Sequence, residues 1–240
     1  MPPAADDLLD LLSGGEIEVL GLLPYSSNYT FLAKVGEGDD AMHAVYKPRR
    51  GERPLWDFPQ GSLAAREVAA FLVSAASGWE LVPPTVLRGD APLGEGSLQL
   101  FVHHDPDRHF FVMQDERRYD FRVFAAFDAV INNADRKGGH VIEDADGRLW
   151  AVDHGVTFHV EPKLRTVIWD YAEQELGAAA RGGLEKLSES FENDDGLASE
   201  LEGLLAPEEI EATRARVASL LELGRFPVPE TDRPLPWPLI

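Results

Sequence analysis

Between residues 29 and 47 apolar and polar positions alternate in two short runs. In YTFLAKV (29–35), Tyr29, Phe31, Ala33 and Val35 fall on one side and Thr30, Leu32 and Lys34 on the other; after GEGDD the alternation resumes in MHAVYK (42–47). A period of two marks strands with unlike faces, so the stretch predicts a hairpin whose second arm ends at Lys47. PRRGERPLWDFPQG follows, with the proline and glycine content of a loop. From Ser62, a residue type that caps helices, the period becomes helical: Ala64, Val68, Phe71, Leu72 and Ala75 share a face, and Glu67 lies close to it.

Farther on, GSLQLFV (96–102) reads as a short apolar strand and is followed by the polar run HHDPDRH. A helix over about 117–132 places Phe124, Phe127 and Ile131 on one side. HVIED and RLWAVD flank Asp146-Gly147, a tight-turn dipeptide, and predict a second hairpin. Helical spacing returns in GGLEKLSESF and PEEIEATRARVASLLEL, where Pro207 and Glu208 suit a first turn. The closing FPVPETDRPLPWPLI holds too much proline for a helix or a central strand. Strands, one helix, a strand, then mostly helices predict an α+β protein with a sheet-rich first lobe and a helical second lobe. The boundaries fall at about 16–101 and 102–225, with a proline-rich tail at 226–240.

Charge narrows the partners. With 42 acidic against 22 basic side chains the formal charge is −20, which repels nucleic acid and anionic lipid surfaces unless a local basic patch intervenes. The absence of cysteine excludes disulfides, thiolate metal sites, palmitoylation and a cysteine nucleophile. The first twenty residues lack the basic and apolar regions of a signal peptide, and no run of apolar residues is long enough to span a bilayer. The expectation is a cytoplasmic protein with no nucleic-acid partner and no stable membrane anchor.

Four residues carry the candidate chemistry. Phosphoryl transfer needs a cation on the nucleotide phosphates, a carboxylate that orients the acceptor hydroxyl and takes its proton, and metal ligands that offset phosphate charge. Lys47 ends a strand, Glu67 lies on the next helix, Asp135 opens a loop after a long helix, and Asp153 ends a strand before His154-Gly155. Each type has a commoner structural use, but their order matches that requirement.

GSLQLFV, NNADR and AVDHG resemble the type II phosphatidylinositol 4-kinases and, more loosely, the wider phosphatidylinositol 3-/4-kinase-like superfamily, in the manner of a small bacterial branch. AVYKPRRGE resembles their lysine strand and SLAAREVAAFLV the helix bearing its partner glutamate; the HipA-type kinases share the asparagine-x-aspartate loop. The resemblance spans about residues 20–160 and implies a two-lobed protein-kinase-like fold and an ATP-dependent kinase. By it, Lys47 would hold the α- and β-phosphates and pair with Glu67. The backbone of Gln99, Leu100, Phe101 and Val102 would hold adenine, and Ser26, Ser27 and Asn28 would cover the phosphates. Asp135 would be the catalytic base with Arg136 as its neighbouring support, and Asp153 would bind Mg²⁺ or Mn²⁺.

One position departs from the pattern. Where these kinases carry an asparagine as second metal ligand, five residues after the base, this chain has His140. Imidazole is a poorer partner than an amide oxygen for Mg²⁺ and a better one for Mn²⁺, so the residue predicts a Mn²⁺ preference or one well-bound metal; the alternative is that His140 only fills space or hydrogen-bonds Asp135. A catalytically weak pseudokinase that regulates by binding nucleotide is the second functional class.

Other motifs fail on spacing. NADRKG imitates the start of an EF-hand loop, but Lys137 stands at a ligand position. HHDPDRH fits no tetrahedral metal template, and GEGDDA precedes a strand where a dinucleotide fingerprint precedes a helix. P-loop and serine-hydrolase signatures are missing. The segment after Gly155, expected to line the acceptor groove, holds only Lys163 and Arg165 as cations, which favours a protein or small-molecule hydroxyl over a lipid. Asp153, at the end of the apolar WAVD, is expected to be a buried carboxylate in need of a compensating cation.

Overall fold

The computed structural model describes residues 5–24, 28–230 and 232–240. A helix, α1 (Ala5–Gly14), leads into strands β1 (Ile17–Leu22), β2 (Phe31–Val35) and β3 (Met42–Pro48), followed by α2 (Leu63–Ala76), β4 (Thr85–Arg88) and β5 (Gly96–Leu100). The strands form one antiparallel sheet in the order β1-β2-β3-β5-β4. Ala33, Val35, Ala44, Tyr46 and Leu98 are fully buried on one face, where they meet Leu12 of α1. Side chains alternate along a strand, so Lys47 leaves the opposite face from Tyr46.

The remaining elements are α3 (Phe110–Met113), α4 (Arg118–Ile131), the hairpin β6 (Val141–Glu143) and β7 (Leu149–Ala151), then α5 (Gly177–Glu192), α6 (Leu197–Leu201) and α7 (Pro207–Leu223). Phe110, Phe121 and Phe124 pack edge to face at 4.9 and 5.7 Å, the arrangement aromatic quadrupoles favour. Ala69, Ala70 and Val73 of α2 belong to this same buried cluster, together with Phe127, Leu184 and Leu201. Thus α2 joins the sheet to the helical part. An ion pair of 2.5 Å between Arg66 of α2 and Glu209 of α7 fastens the joint.

The mixed α+β architecture agrees with the alternation read from the sequence, including the β2–β3 hairpin, α2, α4 and α7. Periodicity missed α1, β1, β4 and the one-turn helices α3 and α6, which are short segments held by the core. Ser62 is a correction. Its hydroxyl donates to the Pro59 carbonyl at 2.7 Å, and the helix-start N–H of Ala64 is taken by Glu52 Oε1 at 2.9 Å from within the preceding loop. The proline-rich tail forms no helix or strand among its described residues. Its backbone lies along the loop after α4 and the segment after β7: Gly138 N–H donates to Leu239 at 2.7 Å and Thr166 N–H to Pro234 at 3.1 Å.

Candidate active site

Lys47 is where the two halves of the molecule meet. Its Nζ lies 2.5 Å from Glu67 Oε1 and 2.8 Å from Asp153 Oδ1, bringing together groups 20 and 106 positions away in the chain. Glu67 is buried, and its second oxygen accepts the backbone N–H of His154 at 3.0 Å. Burial would lower the Lys47 pKa, but Asp153 and Glu67 outweigh it and hold the ammonium above its ordinary range. Lys47 in turn pulls the Asp153 carboxyl far below the usual carboxylate range. Glu67 moves the other way, because desolvation exceeds its share of the same cation.

Asp153 follows β7 with φ of 61°, a left-handed conformation that aspartate tolerates better than most residues. Here the expectation of a buried carboxylate is corrected: the side chain is 49% exposed, although Lys47 does stand against it. Two residues on, Gly155 gives α2 its close approach. A Cβ there would stand 3.2 Å from the Leu63 Cβ.

The loop carrying Asp135 is pinned by the polar residues of NNADR. Asn132 ends α4 with φ of 51°; its amide donates to the carbonyls of His159 and Glu161, and its oxygen accepts Lys163 N–H. Asn133 accepts the Asp135 N–H at 3.0 Å and donates to Asp128. Asp135 is left half-buried with Oδ2 3.0 Å from Lys137 Nζ. Burial raises its pKa against Lys137, and the nearby charge of Asp153 raises it further.

Arg136 does not face this opening. It is fully buried and donates to Asp128 at 2.9–3.1 Å, to the carbonyls of His140 and Val152, and to His154 Nε2 at 2.9 Å. Since a guanidinium only donates, Nε2 accepts and the proton sits on Nδ1, which faces Glu67 at 3.9 Å. Arg136, expected as the neighbouring support of Asp135, thus ties the Asp135 loop to the Asp153 turn from inside and does not reach the opening.

No family model matches the chain. Protein Rv2133c of Mycobacterium tuberculosis is 40% identical over 270 aligned residues, an alignment covering 97% of this chain and 95% of the relative. The chain belongs to the Rv2133c family. Among solved structures, its fold is similar to that of a Golgi casein kinase (TM-score 0.59, 17% identity, 91% of this chain and 75% of the other). A hydra Fam20 protein matches with TM-score 0.60 at 15% identity over 91% and 87% of the two chains. The Helicobacter pylori proinflammatory kinase CtkA matches at 0.53 and 10%, over 87% and 92%. This Rv2133c relative thus has a kinase-like fold with a sheet-rich first part and a helical second part.

Within that fold, the other expected residues are distributed unevenly. Ser26 and Ser27 lie outside the described residues. The Asn28 side chain accepts the Arg53 N–H at 2.9 Å. At the expected adenine strand, Gln99 turns its side chain to Thr85, and the N–H groups of Leu100 and Phe101 donate to Pro84 and His43. Val102 alone of the four has an N–H without a partner among the described residues. The Val102 carbonyl meets His104 Nδ1 at 2.9 Å.

His140 Nε2 lies 3.3 Å from Asp153 Oδ2, and burial lowers its pKa to about 4 against the pull of Asp153, so the imidazole is neutral near pH 7. Among the described residues, no group of three or more histidines and carboxylates could hold a metal ion. Asp153 Oδ2 and His140 Nε2, the pair expected to hold Mg²⁺ or Mn²⁺, face each other at 3.3 Å. Sequence reasoning missed Asp128, Lys137 and the structural part of His154. Asp128 had a signal, a carboxylate inside the apolar run AAFDAV of a helix.

Proposed function

We propose that the chain is an ATP-dependent phosphotransferase that moves the γ-phosphate to a hydroxyl group of a protein or small molecule. The observation that carries the reading is Lys47, whose ammonium is shared by Glu67 and Asp153 next to a half-buried Asp135. A triphosphate with a divalent ion would satisfy the same charges, Lys47 taking phosphate and Asp153 the metal. Residues 16–101 would form the nucleotide lobe, 102–225 the lobe of the base and metal ligands, and 226–240 a tail across the loop.

In that arrangement Val102 N–H meets adenine and Lys47 holds the α- and β-phosphates. Asp135, whose raised pKa suits a base, accepts the proton of the hydroxyl as the oxygen bonds to the γ-phosphorus. The bond to the β-phosphate oxygen breaks, and ADP leaves with the electron pair. Mg²⁺ or Mn²⁺ on Asp153 and His140 would offset the charge on the β- and γ-phosphates.

A Golgi casein kinase structure similar to this chain carries Mn/ADP, which supports nucleotide and manganese use and a protein hydroxyl as one acceptor class. The finer kinship to phosphatidylinositol kinases rests on the motifs. No described helix is long and apolar enough to cross a membrane. A nucleotide-binding regulator without turnover is the second reading, because His140 stands where those kinases carry a metal-binding asparagine.

Thermal-shift titration with ATP plus Mg²⁺ or Mn²⁺, followed by transfer of radiolabelled phosphate to the protein or a lysate, tests the proposal. Asp153→Ala should abolish metal-dependent nucleotide binding; Asp135→Asn should spare binding and lower turnover by roughly 10²–10⁴-fold. Binding without transfer, unchanged by Asp135→Asn, favours the regulator. No shift with any nucleotide rejects both.

A further inference from the structure

The loop between β3 and α2 forms a partly open cavity of about 130 Å³ whose lining includes Arg49, Arg50, Glu52, Arg53, Gly61 and Leu63. Three arginines line one cavity in a chain where acids outnumber bases 42 to 22. The carboxylates nearby are only partly engaged. Glu95 pairs with Arg49 at 2.9 Å, and Glu52 Oε1 accepts the Ala64 N–H. Arg50 and Arg53 meet no carboxylate within 4 Å among the described residues. Gly61 completes the cradle: at φ of 76° it has no Cβ, and a Cβ there would strike the Arg49 guanidinium.

The cavity is fastened to the candidate active site on two sides. Leu63 lines it and packs on Gly155, two residues after Asp153. Asp57, in the same loop, pairs with Lys163 at 2.8 Å, and Phe58 packs edge-on against His159 at 5.3 Å. His159 and Lys163 belong to the segment that Asn132 pins at the start of the Asp135 loop. Arg53 N–H bonded to Asn28 holds the third side. The arginines are thus set on a braced frame, and Glu52 Oε2, buried and without a hydrogen-bond partner, adds one acceptor.

We propose that this cavity is a subsite for an oxyanion, holding the phosphate or carboxylate of a small soluble acceptor beside the transfer site. The assignment rests on the phosphotransferase reading for the word acceptor, and on the cavity alone for the anion. Guanidinium forks match the planar or tetrahedral oxygens of such groups through charge-assisted hydrogen bonds. The cavity, about 130 Å³, has room for one such group. Glu52 Oε2 would accept from a neighbouring hydroxyl or N–H of the same ligand.

The test is equilibrium binding of inorganic phosphate, and separately citrate, to the full chain at low salt by calorimetry. The wild type and the Arg118→Gln control should show saturable binding, and the Arg50→Gln/Arg53→Gln protein should bind roughly tenfold or more weakly. Both altered side chains are exposed, and unchanged circular dichroism and melting will show that the fold survives. ADP with Mn²⁺ should bind the wild type and the double variant alike. Equal phosphate affinity in wild type and double variant overturns the proposal. Parallel loss of ADP affinity also overturns it, since the arginines then serve the nucleotide. Sedimentation with phosphatidylcholine vesicles containing phosphatidic acid, if abolished in the double variant, would place the phosphate on a lipid and overturn the soluble acceptor. Failure of ADP to bind any form strikes the phosphotransferase reading and leaves the anion titration to stand separately.

Discussion

Arg136 and His154 are hydrogen-bonded at 2.9 Å with both side chains fully buried. The contact joins the loop of Asp135 to the turn of Asp153, and Arg136 continues on its other side to Asp128. The two acids of the candidate site therefore owe their relative position to side chains that reach no ligand.

Breaking that frame should cost stability first. Arg136→Met leaves Asp128 as an uncompensated buried charge, and a loss of about 3–5 kcal/mol is expected in urea unfolding. Replacing Asp128 and Arg136 together by apolar residues should cost less than the single change.

Glu67→Gln separates positioning from charge. The amide keeps the shape but no longer draws Lys47 away from Asp153, so ATP affinity in thermal-shift titration should fall by roughly tenfold with little change in melting of the free protein. An unchanged affinity would mean that Lys47 needs no second carboxylate.

His140→Asn tests the metal. Replacing imidazole by an amide oxygen should raise nucleotide binding with Mg²⁺ relative to Mn²⁺, measured as the ratio of the two titrations. The same ratio in wild type and variant would remove His140 from the metal site.

Acid should weaken the metal-free protein through the same residue. The His140 pKa is lowered from 6.5 to about 4 by burial, so the unfolded chain takes up this proton at higher pH than the folded one. Its contribution is complete above pH 6.5 and is lost as pH falls toward 4, by on the order of 3 kcal/mol. The urea midpoint of the wild type should fall relative to that of His140→Asn across that window.

Much of the site could be read along the chain because each chemical group stands where a periodic pattern stops. Lys47 ends an alternation, Asp135 follows an apolar helix, and Asp153 follows an apolar strand. The expected adenine contacts fared differently: the sequence marks 99–102 as a strand, and strand pairing consumes the N–H groups of Leu100 and Phe101. Ser62 misled for a similar reason. Propensity nominates the nearest hydroxyl as a cap, while the folded loop delivers the Glu52 carboxylate from ten residues upstream.

Hydrophobic periodicity was enough to establish strands, helices and their order, because burial of one face constrains every second or every third to fourth residue locally. Which charges meet is a matter of long-range closure. Lys47 meets Asp153 and Arg66 meets Glu209 only when α2 is clamped between sheet and helices. The same closure keeps Arg50 and Arg53 apart from an excess of acids. Coulomb attraction depends on distance in space, and no pattern along the chain encodes that distance.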